Sequence, residues 1–269
     1  MTNQQVEKQA RYRVSPLKWA GGKSWLVPKM KEIWQSHSDR RWVDPFCGAL
    51  SLPLSLRPTD ALLGDICFDL INFWQMVRED LVIRPEILVN QAEAFYERRA
   101  EFNSLPLDQT VKRAELFYYL LRSCHSGLCR FNGKGEFNSP YGNYKTDSIY
   151  QTDFSSYRSI IQHWKFRCQD AEKTCALTKP GDFLFLDPPY WGTFTGYAGN
   201  KFGWDEQMIT AQLAHAHQGP VVCCNSAAPE IVTLYKEKGF EIKILTTAYK
   251  MNTKGLRPQA QEMFAFKNI

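Results

Sequence analysis

The 269-residue sequence predicts an α/β fold built on a mostly parallel sheet with an antiparallel hairpin at one edge. Three observations carry that reading. The runs ending at Val43, at Leu63, at Leu186 and at Cys224 are short, apolar and suited to strands buried on both faces. Segments of helical period alternate with them. Late strands over Phe240 to Tyr249 and Glu262 to Phe266 have little helix between them, which suits an antiparallel edge pair.

Composition bounds the function without choosing it. Hydrophobic residues at 44% and charged residues at 23% are ordinary for a globular chain of one large domain, or one domain plus an insert. Lys+Arg 33 against Asp+Glu 28 leaves +5, which permits a polyanionic partner and does not establish one. The eight cysteines form no CxxC pair and sit mostly among apolar residues, as core thiols. His125, His163, His215 and His217 form no metal-like cluster with carboxylates, so no metal is expected. The polar N-terminus has no run suited to a signal peptide, and no segment approaches a membrane span. A reduced cytoplasm and no membrane contact are the expectation.

In chain order, residues 1 to about 13 read as a loose, partly basic arm. Ser15 to Ser24 then leads into a helical pattern through Trp34, with Lys18, Trp19, Gly21, Gly22 and Lys23 before it. Paired glycines let a backbone approach a ligand closely. A capped helix after a Gly-Gly turn explains the same residues equally well. Gly-Lys-Ser is not a P-loop, because the earlier glycine of that motif falls at Leu17 and no strand precedes it. Trp42 to Leu50, with Asp44, Phe46 and Gly48, reads as strand, turn and helix start, the way Rossmann-type sheets hold nucleotide-like cofactors. Ala61 to Asp65 is the next strand. Asp65 suits ribose hydroxyls, or an N-cap for a helix from Ile66 to Arg78, or both.

Pro85 to about Ser123 has a helical pattern. Periodicity stops at Cys124 to Lys145, where glycines and asparagines alternate with Arg130, Phe131, Lys134, Phe137, Tyr141 and Lys145. A long basic and aromatic loop suits phosphate contacts, base stacking and an arginine reading guanine. A surface hairpin without a partner is the alternative. A helix over Asp153 to His163, a strand over Lys165 to Cys168, helices over Phe202 to His217 and Pro229 to Lys238, and a strand over Pro220 to Asn225 complete the alternation. Asn252 to Arg257 is a basic loop that suits phosphate or plain solvent.

The chemistry concentrates at Phe183-Leu184-Phe185-Leu186-Asp187-Pro188-Pro189-Tyr190. The strand ends at Asp187 because neither proline can donate to a ladder. That places Asp187, Pro188 and Tyr190 at a strand's carboxyl end, where open α/β sheets bind ligands. A carboxylate and a proline-flanked carbonyl are two acceptors matched to an NH2 group, and Tyr190 offers a face for a base. The bland alternative is a strand followed by a Pro-Pro turn.

Taken together, Leu17-Lys18-Trp19-Ala20-Gly21-Gly22-Lys23, Asp44-Pro45-Phe46-Cys47-Gly48, Gly64-Asp65-Ile66, Gly127 to Asn132, Gly135 to Gly142 and Asp187-Pro188-Pro189-Tyr190 resemble the Dam-like DNA adenine-N6 methyltransferases, D12 class, in the family's α-group order over nearly the whole chain. The resemblance implies a Rossmann-like class I methyltransferase sheet of seven strands, mostly parallel, plus a helical target-recognition insert with a β-hairpin. It implies a catalytic domain over 14–80 and 165–269, and a recognition domain over 81–164. S-adenosylmethionine is the implied methyl donor, released as S-adenosylhomocysteine, and no metal is implied. Trp19, Lys23, Asp44, Phe46, Gly48, Asp65, Ile66 and Asp187 are the implied cofactor residues. Asp187, Pro188, Pro189 and Tyr190 form the implied catalytic set, and Lys18, Leu128, Arg130, Asn132, Lys134, Pro140 and Lys145 the DNA-binding set.

Two positions depart from the pattern. Leu50 replaces a second turn glycine, and His125-Ser126 replaces an aromatic-Asn pair. Other branches carry a bulkier residue at the first, so activity is still expected, while the second bears on the recognition sequence. The expected partner is double-stranded DNA, at a G-A containing site such as GATC. A monomer is the expected state, in a cytoplasmic, nucleoid-associated setting of bacterial, phage or plasmid type. A restriction endonuclease partner is compatible with the resemblance and is not inferable from the residues. Two other readings compete: methylation of an RNA base or amide, and a DNA-binding regulator of the same fold with impaired catalysis.

Overall fold

The computed structural model describes residues 15–145, 150–192, 202–248 and 259–269. The arm expected over 1–13 and the loop Asn252–Arg257 lie outside the described residues. Seven strands form one sheet: β1 (Trp42–Asp44), β2 (Ala61–Asp65), β3 (Lys165–Cys168), β4 (Phe183–Leu186), β5 (Val221–Ser226), β6 (Glu241–Ala248) and β7 (Gln259–Lys267). Their order is β3-β2-β1-β4-β5-β7-β6. The first five are parallel, and β7 runs antiparallel between β5 and β6. This is the predicted α/β sheet with its edge pair. The winding reverses between β1 and β4, so the carboxyl ends of these strands flank the crevice that doubly wound sheets use for ligands.

Burial explains which runs became which strands. All residues of β1 and β4 are buried, as is most of β5, because helices cover both faces. On β3, at the edge, only Phe166 is buried. Met263, Phe264 and Ala265 are buried in succession on β7, which lies inside the sheet.

Nine α-helices occur among the described residues: α1 (Val27–Gln35), α2 (Ser51–Leu56), α3 (Phe68–Arg78), α4 (Ala92–Ser104), α5 (Thr110–Ser123), α6 (Ser155–Ile161), α7 (Ala171–Cys175), α8 (Trp204–Ala216) and α9 (Pro229–Glu237). The helical pattern read from Pro85 to Ser123 is broken. Leu105 leaves the helical region at ψ 133, as a residue before proline is biased to do, and Pro106 follows it. The five-residue α7 was not anticipated; Asp170 caps it by accepting from the Lys173 N–H at 2.8 Å.

Among the described residues, the insert between α3 and β3 has no separate core. One buried cluster runs from Trp42 and Phe185 through Phe73 and Trp74 to Phe117, Tyr118 and Phe137. Polar anchors reinforce it. Arg113 on α5 pairs with Asp69 on α3 at 2.8 Å, both buried, and Arg84 pairs with Glu115 at 2.8 Å. The opposite face of the sheet is covered by a second cluster that includes Val43, Leu184, Leu186, Ala211 and Tyr235.

Leu50 keeps the backbone its missing glycine would have supplied. Its φ is 59 and its ψ 29, in the left-handed region, at the start of α2. An L-residue there costs about 1–2 kcal/mol. The side chain is fully buried in the core cluster, so its apolar burial offsets that strain.

Candidate active site and recognition hairpin

The ends of β1, β2 and β4 bring together residues far apart in sequence. Asp187, at the end of β4, receives the Lys23 ammonium at 2.9 Å on Oδ2. Both side chains are largely buried, at 8% and 16% exposure. The Asp187 Oδ1 atom is buried with no hydrogen-bond partner among the described residues. A buried acceptor without a donor is costly, which marks it as a place for a ligand's N–H. Burial pushes the Asp187 carboxyl up, and the nearby Lys23 charge counters this. Burial is the largest influence on Lys23 and works against its charge, but Asp187, Cys224 and Glu262 together raise its pKa and the ammonium persists.

Lys23 further donates to the Gly21 carbonyl at 2.9 Å and lies 4.7 Å from the centre of the Tyr190 ring. The Tyr190 hydroxyl donates to Glu262 on β7 at 2.5 Å, which fixes the ring's direction. Behind the Asp187-Pro188-Pro189-Tyr190 turn lie two fully buried amides, Gln207 and Asn225. Gln207 donates to the Pro189 carbonyl at 2.8 Å, and Asn225 donates to Gln207 at 2.8 Å.

On the neighbouring strands, Asp44 is buried and its Oδ1 accepts from the Phe46 N–H at 3.1 Å. Burial raises its pKa, and Asp187 and Asp65 raise it further. Asp65 accepts from the Gly48 N–H at 3.2 Å and the Cys67 N–H at 2.9 Å. Burial lifts its pKa to about 6 against those bonds. It does not cap α3 in the usual way, since it bonds Cys67, the N-cap residue itself. Ile66 beside it is 46% exposed although apolar. Gly48, at φ +49, leaves little room for a side chain: a Cβ would lie 3.1 Å from the Trp19 indole nitrogen. Trp19, Lys23, Asp44, Gly48, Asp65, Asp187 and Tyr190 therefore share one crevice.

The loop over Cys124 to Lys145 contains a short hairpin. Phe131 bridges Phe137, and the Asn138 N–H donates to the Arg130 carbonyl at 2.9 Å. Asn132 tightens its tip by accepting from the Lys134 and Glu136 N–H groups at 2.9 and 3.0 Å. Arg130 is half-buried; its Nε donates to the Asn138 side chain at 2.8 Å and its Nη2 to the Asn138 carbonyl at 3.1 Å. Lys134, Pro140 and Lys145 are exposed. The Ser139 hydroxyl donates to the Leu128 carbonyl. Asn103 on α4 clamps the hairpin by donating to the Phe137 carbonyl at 3.1 Å and accepting its N–H at 2.8 Å.

Lys18 joins hairpin and crevice. Its ammonium sits 3.3 Å from the Tyr144 ring centre, and burial, with Arg122 nearby, lowers its pKa to about 8. Gly127, at φ +67, packs so closely that a Cβ would lie 2.5 Å from Lys18 Cβ and 2.9 Å from its backbone carbon. Gly127→Ala should destabilise the fold by about 2–4 kcal/mol, from left-handed strain plus overpacking. Denaturant midpoints for the two proteins check this.

Residues 19–251 match the profile of the D12 class N6 adenine-specific DNA methyltransferases. The chain belongs to that family. Its similar relatives include the retron Ec67 DNA adenine methylase of Escherichia coli, 33% identical over 82% of this chain and 80% of that one. The DNA adenine methylase of Serratia marcescens is 35% identical over 74% of this chain and 77% of its own length. A DNA N-6-adenine-methyltransferase of Escherichia phage P1 is 31% identical over 93% of this chain, which spans 35% of that longer protein. Sequence reasoning missed Gln207, Asn225, Glu262, Asn103 and Asn138. Asn225 carried a signal, a polar residue closing a buried strand. Asn138 lay within the matched loop and Glu262 at the start of a late strand with no role given to either, and Gln207 and Asn103 lie within stretches read only as helical.

Proposed function

We propose that the chain transfers a methyl group from S-adenosylmethionine to N6 of a flipped-out adenine in duplex DNA, at a G-A containing site with GATC as the leading sequence. The observation that carries this is Asp187 Oδ1, a buried acceptor without a donor at the strand end before two prolines. The remaining crevice fits the cofactor by its chemistry. Asp65 accepts hydroxyl donors, exposed Ile66 offers an apolar face, and Gly48 lets the backbone turn pack against the Trp19 indole. Trp19, Lys23, Asp44, Phe46, Gly48, Asp65, Ile66 and Asp187 would hold it. Bound there, it supplies an electrophilic sulfonium methyl.

The chain's own task is to make a poor nucleophile react. The N6 lone pair of adenine is delocalised into the ring. Asp187 and the Pro188 carbonyl accept both N6 hydrogens, draw the nitrogen toward a tetrahedral shape and raise its electron density. N6 gains its methyl as the donor's sulfur–methyl bond breaks, and the alkylated nitrogen then gives up one of those hydrogens as a proton to solvent. Most of the rate gain is positioning and electrostatics. Tyr190 stacks on the extruded base and offsets part of an unstacking cost of roughly a few kcal/mol. Segment 81–164 is the part we assign to target recognition, with Arg130 as base reader and Lys18, Leu128, Asn132, Lys134, Pro140 and Lys145 around it. Labelled cofactor with duplex DNA, with and without GATC, tests the proposal. Label in N6-methyladenine supports it; no transfer to either duplex overturns it.

Asp65 adds a pH dependence. Its folded pKa of about 6 lies above the unfolded carboxylate value, so the folded site holds the proton more tightly. In the free protein, Asp65 ionisation therefore costs stability as pH rises through that window. Above it the carboxylate is a charged, strong acceptor for a ribose hydroxyl, and below it the neutral acid is a weaker one. Cofactor affinity should fall by up to about tenfold per pH unit below pH ~6. Calorimetry over this range should lose that break in Asp65→Asn.

A further inference from the structure

The turn that carries the reacting groups is held from behind by a polar relay whose direction is fixed. The Asn225 Oδ1 atom accepts two backbone N–H groups, from Ser226 at 2.8 Å and Trp191 at 3.3 Å. That leaves its NH2 to face Gln207 Oε1 at 2.8 Å. Gln207 must then present its own NH2 to the Pro189 carbonyl, which it meets at 2.8 Å. Neither amide can flip without facing donor to donor or acceptor to acceptor. Both residues are completely buried, so these bonds are made in a low-dielectric interior that tolerates no unpaired partner. Gln207 comes from α8 and Asn225 from the end of β5, so two elements outside the turn determine its position.

We propose that Gln207 and Asn225 are positioning residues for methyl transfer: by holding the Pro189 carbonyl and the Trp191 N–H, they fix the peptide between Asp187 and Tyr190 and so the aim of the Pro188 carbonyl. This rests on the function proposed above. The turn's prolines restrict its shape but cannot set where it sits relative to the crevice, since they donate nothing to the sheet. The relay supplies that placement. It touches neither base nor cofactor, so it acts on the rate of the chemical step and leaves both affinities in place. A misplacement of about 1 Å costs on the order of a hundredfold in rate.

The test is single-turnover methylation with equilibrium binding of S-adenosylmethionine and duplex DNA, on full-length variants. Gln207→Leu should lose about a hundredfold in the single-turnover rate, with both affinities within a few-fold of the parent. Gln207→Glu provides the readout that a merely structural role would not move. Its protonated acid can donate to the Pro189 carbonyl and accept from Asn225, whereas its carboxylate cannot donate. Burial raises such an acid's pKa, so this variant's rate, relative to the parent's, should rise as pH falls. It remains informative even where Gln207→Leu does not fold. A parent-like rate in Gln207→Leu, or a parent-like pH profile in Gln207→Glu, overturns the proposal. Asp187→Ala, run alongside, separates the two readings. Loss in Asp187→Ala with no effect at Gln207 removes only the relay; activity in Asp187→Ala removes the chemistry on which the relay rests.

Discussion

Asp187→Ala will lower the rate of methyl transfer on the order of a hundredfold or more, because it deletes an acceptor aimed at the reacting amine. Sequence alone would treat this as a clean active-site change, but the structure adds a cost. Asp187 is the partner of Lys23, whose side chain is only 8% exposed. Removing one member of a buried pair leaves the other charge uncompensated, at about 3–5 kcal/mol of stability. A rate loss in Asp187→Ala therefore mixes chemistry with a weakened fold. The double variant Lys23→Met with Asp187→Leu separates them. Replacing a buried pair by apolar groups is often neutral or stabilising, so the double variant should regain most of the lost stability and none of the activity. Thermal unfolding and single-turnover rates on the three proteins give the answer. Near-parental turnover in either variant would remove Asp187 from the mechanism.

The centre of the sheet was legible because its strands are short apolar runs with no amphipathic ambiguity. Phe183 to Leu186 is buried at every position, as a strand covered on both faces should be. The edge pair was legible from the absence of a helix between two late strands. The strand order was not written in any local pattern, because which strands neighbour each other is a property of the crossovers. Within the site, Lys23 and Asp187 were both visible as chemistry-bearing residues, one beside paired glycines and one before paired prolines. Their contact was not visible, since they lie 164 positions apart and only the folded chain brings the loop before α1 to the end of β4. Leu50 shows the reverse limit. Its residue type argued against a left-handed turn, yet φ is 59 there because the fully buried side chain gains more from the core than the strain costs. The Gln207–Asn225 relay was hidden for a related reason. Buried amides are tolerated when every bond is made, and those bonds come from three separate segments.

Arg130→Ala will relax the choice of target sequence more than it lowers activity on DNA at large. The guanidinium has five N–H donors, and Asn138 takes two of them, from Nε at 2.8 Å and Nη2 at 3.1 Å. That fixes the plane of the fork and leaves donors to address a base edge. Arginine bidentate to guanine O6 and N7 is the commonest specific contact in the major groove, worth roughly 1–3 kcal/mol of discrimination. The variant should lose about that much preference for guanine beside the target adenine, read as kcat/KM on duplexes that differ at that base pair. Asn138→Ala, which frees the fork without removing it, should lose part of the same preference. Lys134 and Lys145 are exposed and make no such choice. Neutralising either should weaken all duplexes alike and reduce the slope of log affinity against log salt by about one. Sequencing methylated adenines in DNA from cells that express the protein decides between the roles. Guanine flanking the modified adenines supports Arg130 as a base reader; modified sites without it would make Arg130 a phosphate clamp and remove GATC as the proposed target.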